Sequence, residues 1–222
     1  MNMDSVNGYA YGLWPLVVME AGFFILFTLG FTQPRTKRDW RSFGGFAAFI
    51  VALFTEMYGF PFTVFLLSGW LINRYPGFNI YGHDAGHLWN TIFGWKGDPH
   101  ADFLHVVSDF VILFGLIIIG AAWAVLYRAQ SSHQVATTGL YRWVRHPQYI
   151  GFSLIMVGFI MQWPTIPTLV MFPVLIWMYV RLARREEKDA LEEFGEDYQR
   201  YRDVTPAFLP RLSFNSPIPP TE

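Results

Sequence analysis

The sequence predicts an all-α, polytopic membrane protein with about five transmembrane helices and a cytoplasmic C-terminal helical cap. Three observations predict it. Of 222 residues, 53% are hydrophobic and only 15% are charged, where a soluble domain carries about 25% charged residues. The apolar residues gather in runs long enough to cross a bilayer, which takes roughly 17–25 residues as a helix. Lys and Arg collect in alternate connections between those runs, as their retention in the cytoplasm requires.

The first run covers residues 14–31. It is read as a span rather than a cleaved leader, because residues 1–11 hold no Lys or Arg and no small-residue cleavage site closes the run. The second, 43–72, contains Glu56 and Pro61, so a tilted or kinked helix is expected. The third covers 103–127. The fourth and fifth, 149–163 and 166–179, are short and separated by a proline turn at 164–167, which reads as a helical hairpin. Beyond them Leu191, Phe194, Tyr198 and Tyr201 recur at helical spacing, with Asp189, Glu192, Glu196 and Gln199 largely on other faces. This amphipathic cap is expected to continue from the fifth span and fold back over the cytoplasmic mouth, unless Gly195 breaks it. The whole chain, 1–222, reads as one membrane domain: a three-helix region at 1–128 with an outer loop at 73–101, a core at 129–211, and a flexible tail at 212–222.

Orientation follows from the cations. Arg35, Lys37, Arg38 and Arg41 precede the second run; Arg128, Arg142 and Arg145 follow the third; Arg181, Arg184, Arg185 and Lys188 follow the fifth. With five spans these fall on one side, while the other side receives only Arg74 and Lys96. The N-terminus is therefore expected outside and the C-terminus in the cytoplasm. A formal net charge of −1 provides no basic field for nucleic acid, so no nucleic-acid partner is expected. The absence of cysteine excludes disulfides, thiolate metal sites and a cysteine nucleophile. Oligomeric state is not legible.

The most informative stretch is 132–151, SHQVATTGLYRWVRHPQYIG, at the predicted cytoplasmic boundary. Pro147 suits a first helical turn, since its missing N–H would have had no partner there. The turn then presents free N–H groups, the His146 imidazole and the Tyr149 phenol, and such a helix start can receive a carboxylate, including that of an amino-acid ligand. On structural grounds alone, Arg145 reads equally as an interfacial anchor and Tyr149 as part of an aromatic belt.

A second cluster, Arg184-Arg185-Glu186-Glu187, is followed by FGEDYQRY at 194–201 and TPAFLP at 205–210. Together with His133, the Gly139-Leu140-Tyr141 step and Arg145-His146-Pro147-Gln148-Tyr149, these resemble the isoprenylcysteine carboxyl methyltransferase family and its bacterial and archaeal relatives over residues 120–211. The resemblance implies that S-adenosylmethionine occupies a pocket between the cytoplasmic helix ends and the cap, while a lipophilic substrate arrives from the bilayer among membrane lipids. It implies cofactor binding by His133, Gln134, Val135, Ala136, Tyr141, His146, Pro147, Gln148, Tyr149 and Glu186, with Glu187 beside them. Prenylcysteine enzymes of the family carry an arginine four residues before that glutamate. Leu182 stands there and Arg181 is one step away, about 100° around a helix. Arg181, His146 and Glu187 are the catalytic candidates. The acceptor is a thiol, an amine or a carboxylate, with a thiol or lipid amine favoured over prenylated protein.

In the outer loop His83, Asp84, His87, Asp98, His100, Asp102 and His105 gather within a short stretch. The adopted reading is structural, with the aspartates capping short helices and His105 at the interface, and no metal is assigned. His83 and His87, at i and i+4, are the metal candidates. They support an alternative function as a metal-linked membrane transporter or accessory protein. Glu56, a carboxylate within a span, is expected to line an acceptor tunnel or to pair with a polar group such as Ser108.

Overall fold

Among the residues described by the computed structural model, 11–32, 34 and 36–210, all regular structure is helical. The leader before residue 11, Gln33, Arg35 and the tail at 211–222 lie outside the described residues. Four helices are long and apolar enough to cross a membrane: α1 (Trp14–Thr32), α2 (Lys37–Phe54) with its continuation to Gly59, α6 (Phe103–Ser131) and α8 (Ile166–Phe194). α7 (Pro147–Gln162) is apolar but shorter. Its 16 residues span about 24 Å, less than the roughly 30 Å of a hydrocarbon core.

Three of the long helices, α2, α6 and α8, start where a side chain satisfies orphan N–H groups. α2 opens on a capping box: Asp39 N donates to Thr36 Oγ1 at 3.1 Å and Thr36 N to Asp39 Oδ2 at 2.9 Å. Thr165 and Thr168 form the equivalent box at α8. Asp102 caps α6, accepting from His105 N at 2.7 Å, and Asp98 caps the short turn Pro99–Ala101. Asp84 instead lies inside the turn His83–Gly86, whose N-cap is Gly82.

The second apolar run is not one long helix. After α2 the backbone widens into a π-helical turn at Thr55–Gly59, and Phe60 becomes extended ahead of Pro61. Two short helices follow, α3 (Phe62–Leu66) and α4 (Ser68–Arg74). Glu56 explains the break. It is buried, and its carboxylate accepts from Thr63 N and Thr63 Oγ1, both at 3.1 Å, while Thr63 Oγ1 accepts from Ile166 N at 2.9 Å. It thus ties the start of α3 to the start of α8. Its partner is Thr63 and not Ser108, whose hydroxyl donates to His105 O at 2.6 Å. α3, α4 and α5 (Leu88–Phe93) share a small apolar cluster of Val64, Leu71, Ala85 and Leu88.

Helix direction defines two ends of the bundle. Gly12 and Leu13 donate to the carbonyls of Gly59 and Tyr58, so α1 begins beside the end of α2. Gln162 donates to Asp109 at 2.5 Å, so α7 ends beside the start of α6. This "loop end" carries residues 60–102. The opposite end gathers the C-terminal ends of α6 and α8 with the N-terminal ends of α2 and α7.

α7 packs chiefly against α6, not α8. A Cβ on Gly115 would lie 2.9 Å from Gly151 O, one on Gly151 2.9 Å from Gly115 O, and one on Gly158 3.0 Å from Ser108 O. These glycines bring the two backbones into contact, the usual solution where lipid gives no hydrophobic drive between helices. Aromatic packing fills the centre, with Phe46 against Phe152 at 5.0 Å and Phe24 against Phe159 at 5.1 Å. Val18, Phe23, Phe110, Phe114, Val170 and Trp177 point outward, the greasy perimeter that a bilayer requires. α8 continues unbroken to Phe194. Gly195, at φ 54° and ψ −123°, then occupies a conformation that excludes side chains, so α9 (Glu196–Val204) folds back as a separate helix.

Candidate active site

Three segments distant in sequence meet where α6 stops and α7 starts. After α6 the chain passes His133, at a left-handed φ of 54°, and Gly139, at φ 59°, into a turn at Gly139–Arg142. Residues 145 and 146 then run alongside the C-terminal segment: Arg145 N donates to Pro206 O at 2.9 Å and His146 N to Ala207 O at 3.1 Å. Tyr201 on α9 donates through its hydroxyl to Tyr141 O at 2.7 Å.

Arg145 holds this junction together. Its Nε and Nη2 donate to Glu187 Oε1 at 3.0 and 2.6 Å, and its Nη1 donates to the carbonyls of Arg202 and Thr205 at 3.0 and 2.5 Å. A single side chain therefore joins the approach to α7, the cytoplasmic-predicted part of α8 and the end of α9. The planar fork of guanidinium suits this, as an ammonium would not.

His146 bridges the two acids. Its Nε2 is 3.0 Å from Glu187 Oε1, and its Nδ1 lies 3.4 Å from Glu186 Oε2 without hydrogen-bond geometry. Burial alone would depress the imidazolium, but the Glu187 hydrogen bond and the negative charges of both Glu186 and Glu187 outweigh it, and its pKa is raised. Glu186 also accepts from Tyr149 OH at 2.5 Å and Gln148 Nε2 at 3.5 Å, and Tyr141 OH donates to Gln148 Oε1 at 3.2 Å. Burial pushes the Tyr141 phenol well above its ordinary value and that of Tyr198 up to about 12, so both remain donors.

A cavity of about 480 Å³ opens over this network, within the roughly 300–1,000 Å³ of small-ligand sites. Of the residues proposed from the sequence, His133, Gln134, Val135, Ala136, Tyr141, His146, Gln148 and Glu186 line it. Pro147 and Tyr149 are buried behind the wall, Pro147 starting α7 and Tyr149 holding Glu186. Glu187 is engaged by Arg145 and His146. Arg181 does not line the cavity; it is exposed and lies over the Trp177 ring at 4.6 Å, while Leu182 is buried.

Other lining residues escaped the sequence reading. Lys37, Arg38 and Asp39 reach the cavity from the first turn of α2, and Arg38 pairs with Asp189 of α8. Glu193 faces His133 at 3.5 Å, and Tyr198 and Tyr201 form the α9 side. The Thr36–Asp39 capping box was the available signal for a helix start at the first basic loop.

His83 and His87 lie at the loop end. Burial pushes His87 down to about 3, aided by the neighbouring histidines, and also lowers His83.

Residues 102–193 match the isoprenylcysteine carboxyl methyltransferase (ICMT) family. The protein-S-isoprenylcysteine O-methyltransferase of Schizosaccharomyces pombe is 29% identical over 89 residues, 40% of this chain and 38% of that protein. The human protein of the same name is 26% identical over 159 residues, 67% of this chain and 51% of that protein. The cobalt-zinc-cadmium resistance protein CzcN of Cupriavidus metallidurans is 30% identical over 114 residues, 48% of this chain and 52% of that protein. The chain thus spans about half or less of the length of these relatives. No solved structure matches it significantly. The matched segment, under half of the chain, takes in α6, α7 and nearly all of α8, the helices that position Arg145, His146, Glu186 and Glu187, and it is over this segment that the chain is similar to the ICMT family.

Proposed function

We propose that this chain is a membrane methyltransferase that uses S-adenosylmethionine and methylates a lipophilic acceptor reaching the site from the bilayer. The observation carrying this reading is the convergence of residues 133–148 with Glu186 around one cavity. The lining suits a small cationic amino-acid ligand: carboxylates at Glu186, Asp189 and Glu193, the aromatic rings of Tyr141, Tyr198 and Tyr201, and the start of α7 at Gln148. Carboxylates and π faces favour a sulfonium, and helix N-terminal N–H groups favour the carboxylate of the same molecule.

When bound, the cofactor supplies an electrophilic methyl carbon on sulfur. Everything else falls to the chain. Tyr149 and Gln148 orient Glu186 towards the cavity. His146 and Arg145 neutralise Glu187 behind it. α9 covers the site against water, because Arg145 fastens its C-terminal end. Holding two reactants in line and dehydrated is worth up to about 7–11 kcal/mol of barrier in well-oriented systems. A thiolate arrives already deprotonated and needs no general base, and an amine attacks through its lone pair and gives up its proton to solvent. His146, proton-bearing between two carboxylates, is a positioning residue in this scheme.

The acceptor is a lipophilic thiol or lipid amine. Leu182 is buried and the neighbouring Arg181 points outward onto Trp177, so neither provides a cation for a carboxylate acceptor. The cavity end, where Lys37, Arg38, Arg41, Arg128, Arg142, Arg184, Arg185 and Lys188 collect, is the cytoplasmic one, in a bacterial or archaeal inner membrane. Proteoliposomes supplied with methyl-labelled S-adenosylmethionine and a panel of lipophilic thiols, amines and carboxylates test the reading. Label should enter a thiol or amine, and do so less in Glu186→Gln. Label confined to the carboxylates would overturn the acceptor assignment, and label in none of the three classes would overturn the methyl-transfer reading.

A further inference from the structure

We infer that His83, His87 and His100 form a binding site for a divalent transition-metal ion of the zinc type at the loop end of the bundle. Each contributes one nitrogen, and the three lie within 4.8 Å of one another. His83 and His87 are buried, whereas the His100 side chain is 45% exposed, so the cluster has an open approach from the loop side.

The hydrogen bonds around the rings carry the inference. His87 Nδ1 is 3.2 Å from Gln162 O, and His100 Nδ1 is 3.0 Å from Asp98 Oδ1. A carbonyl and a carboxylate only accept, so both Nδ1 atoms hold the proton and both Nε2 atoms present lone pairs. Those two Nε2 atoms face each other at 3.3 Å. Two lone pairs at that separation require a shared cation, either an extra proton or a metal. Tetrahedral zinc, with bonds of about 2.0–2.1 Å, sets its ligand nitrogens about 3.3–3.4 Å apart. His83 Nδ1 likewise faces an acceptor, Met57 O at 3.3 Å. An imidazole whose second nitrogen donates to a carbonyl or carboxylate is the usual support of a metal ligand.

The surroundings order the cluster. The Trp163 ring packs on His83 at 4.5 Å and on His87 at 4.4 Å. A Cβ on Gly86 would lie 1.9 Å from Trp163 Cζ2, so glycine is what admits the indole. The His105 ring stands 5.5 and 5.3 Å from those of His87 and His100, and its buried Nδ1 has no hydrogen-bond partner. His105 or water completes the coordination. A bound ion would fasten the segment 83–100 to the ends of α2 and α7, whose Met57 and Gln162 carbonyls already hold two of the ligands. The length of α7, about 24 Å, separates this site from His146, so the inference does not rest on the methyl-transfer reading.

Purified full chain, stripped with a chelator, should take up one zinc per chain, read by elemental analysis and by competition with a chromophoric chelator. His100→Ala, which removes the exposed ligand, should weaken zinc binding at least 100-fold with unchanged helical circular dichroism, and Asp98→Asn by roughly 10- to 100-fold. The double variant His83→Ala, His87→Ala should abolish uptake. Absence of stoichiometric zinc in the wild-type chain, or an affinity untouched by His100→Ala, would overturn the site and leave the shared proton in its place.

Discussion

Replacing Arg145 with leucine should release α9 from the bundle while leaving the membrane helices folded. Arg145 and Glu187 have side chains only 12% and 17% exposed, so removing the guanidinium leaves Glu187 with His146 as its remaining partner and strands two carbonyls in a poorly solvated junction. Loss of one partner from a buried, hydrogen-bonded ion pair costs about 3–5 kcal/mol, and the residual exposure here argues for the lower figure. At about 1.4 kcal/mol per decade, 3 kcal/mol raises the open population of the cap on the order of 100-fold. His146 still contacts Glu187, and the backbone bonds to Pro206 and Ala207 remain, so opening stays local. Amide hydrogen exchange reads this directly. Peptides covering 196–207 should lose protection by about two decades, and those covering α6 and α7 should not change. Unchanged exchange in α9 would refute the assignment of Arg145 as the fastening of the cap, and a uniform loss across all helices would show it to be global instead.

Two further outcomes follow from the same contacts. Gly151→Ala places a Cβ 2.6 Å from Ile119 Cγ1 and 2.9 Å from Gly115 O, and should destabilise the α6–α7 pair by about 1–3 kcal/mol; Gly44→Ala, with open space around it, should leave the thermal midpoint nearly unchanged. The raised pKa of His146 means the folded state holds a proton more tightly than the unfolded chain. Its contribution is therefore complete below the unfolded value of about 6.5 and is lost as pH rises through the higher folded value. Thermal midpoints should fall over that interval, and His146→Gln should remove that component of the pH dependence.

The membrane helices were legible because a backbone in hydrocarbon must satisfy its own hydrogen bonds, which makes apolar length nearly a statement of structure. The second run, expected as a tilted or kinked span over 43–72, breaks at Glu56 and Pro61 into separate short helices instead of bending as one. Its composition is that of a span, and only Glu56 reaching forward to Thr63, with Pro61 between them, turns the chain aside. Gly195 was visible as a break, and its φ of 54° explains why α9 is separate. At the cavity, the local motifs at 133–149 and 186 were readable. Their binding partners were not: Arg145 meets carbonyls 57 and 60 residues away, and Arg38 of α2 meets Asp189 of α8. Spacing likewise pointed to His83 and His87, but His100 joins them only through the folding of the loop.

Isothermal titration of the detergent-solubilised chain with S-adenosylmethionine tests the central claim most directly. Saturable binding at one site per chain, weakened at least roughly 10-fold by Glu186→Gln through loss of a charge-assisted contact of about 1.5–3 kcal/mol and unaffected by Arg181→Ala, is the predicted result. No saturable heat, or equal affinity in the Glu186→Gln variant, would contradict it.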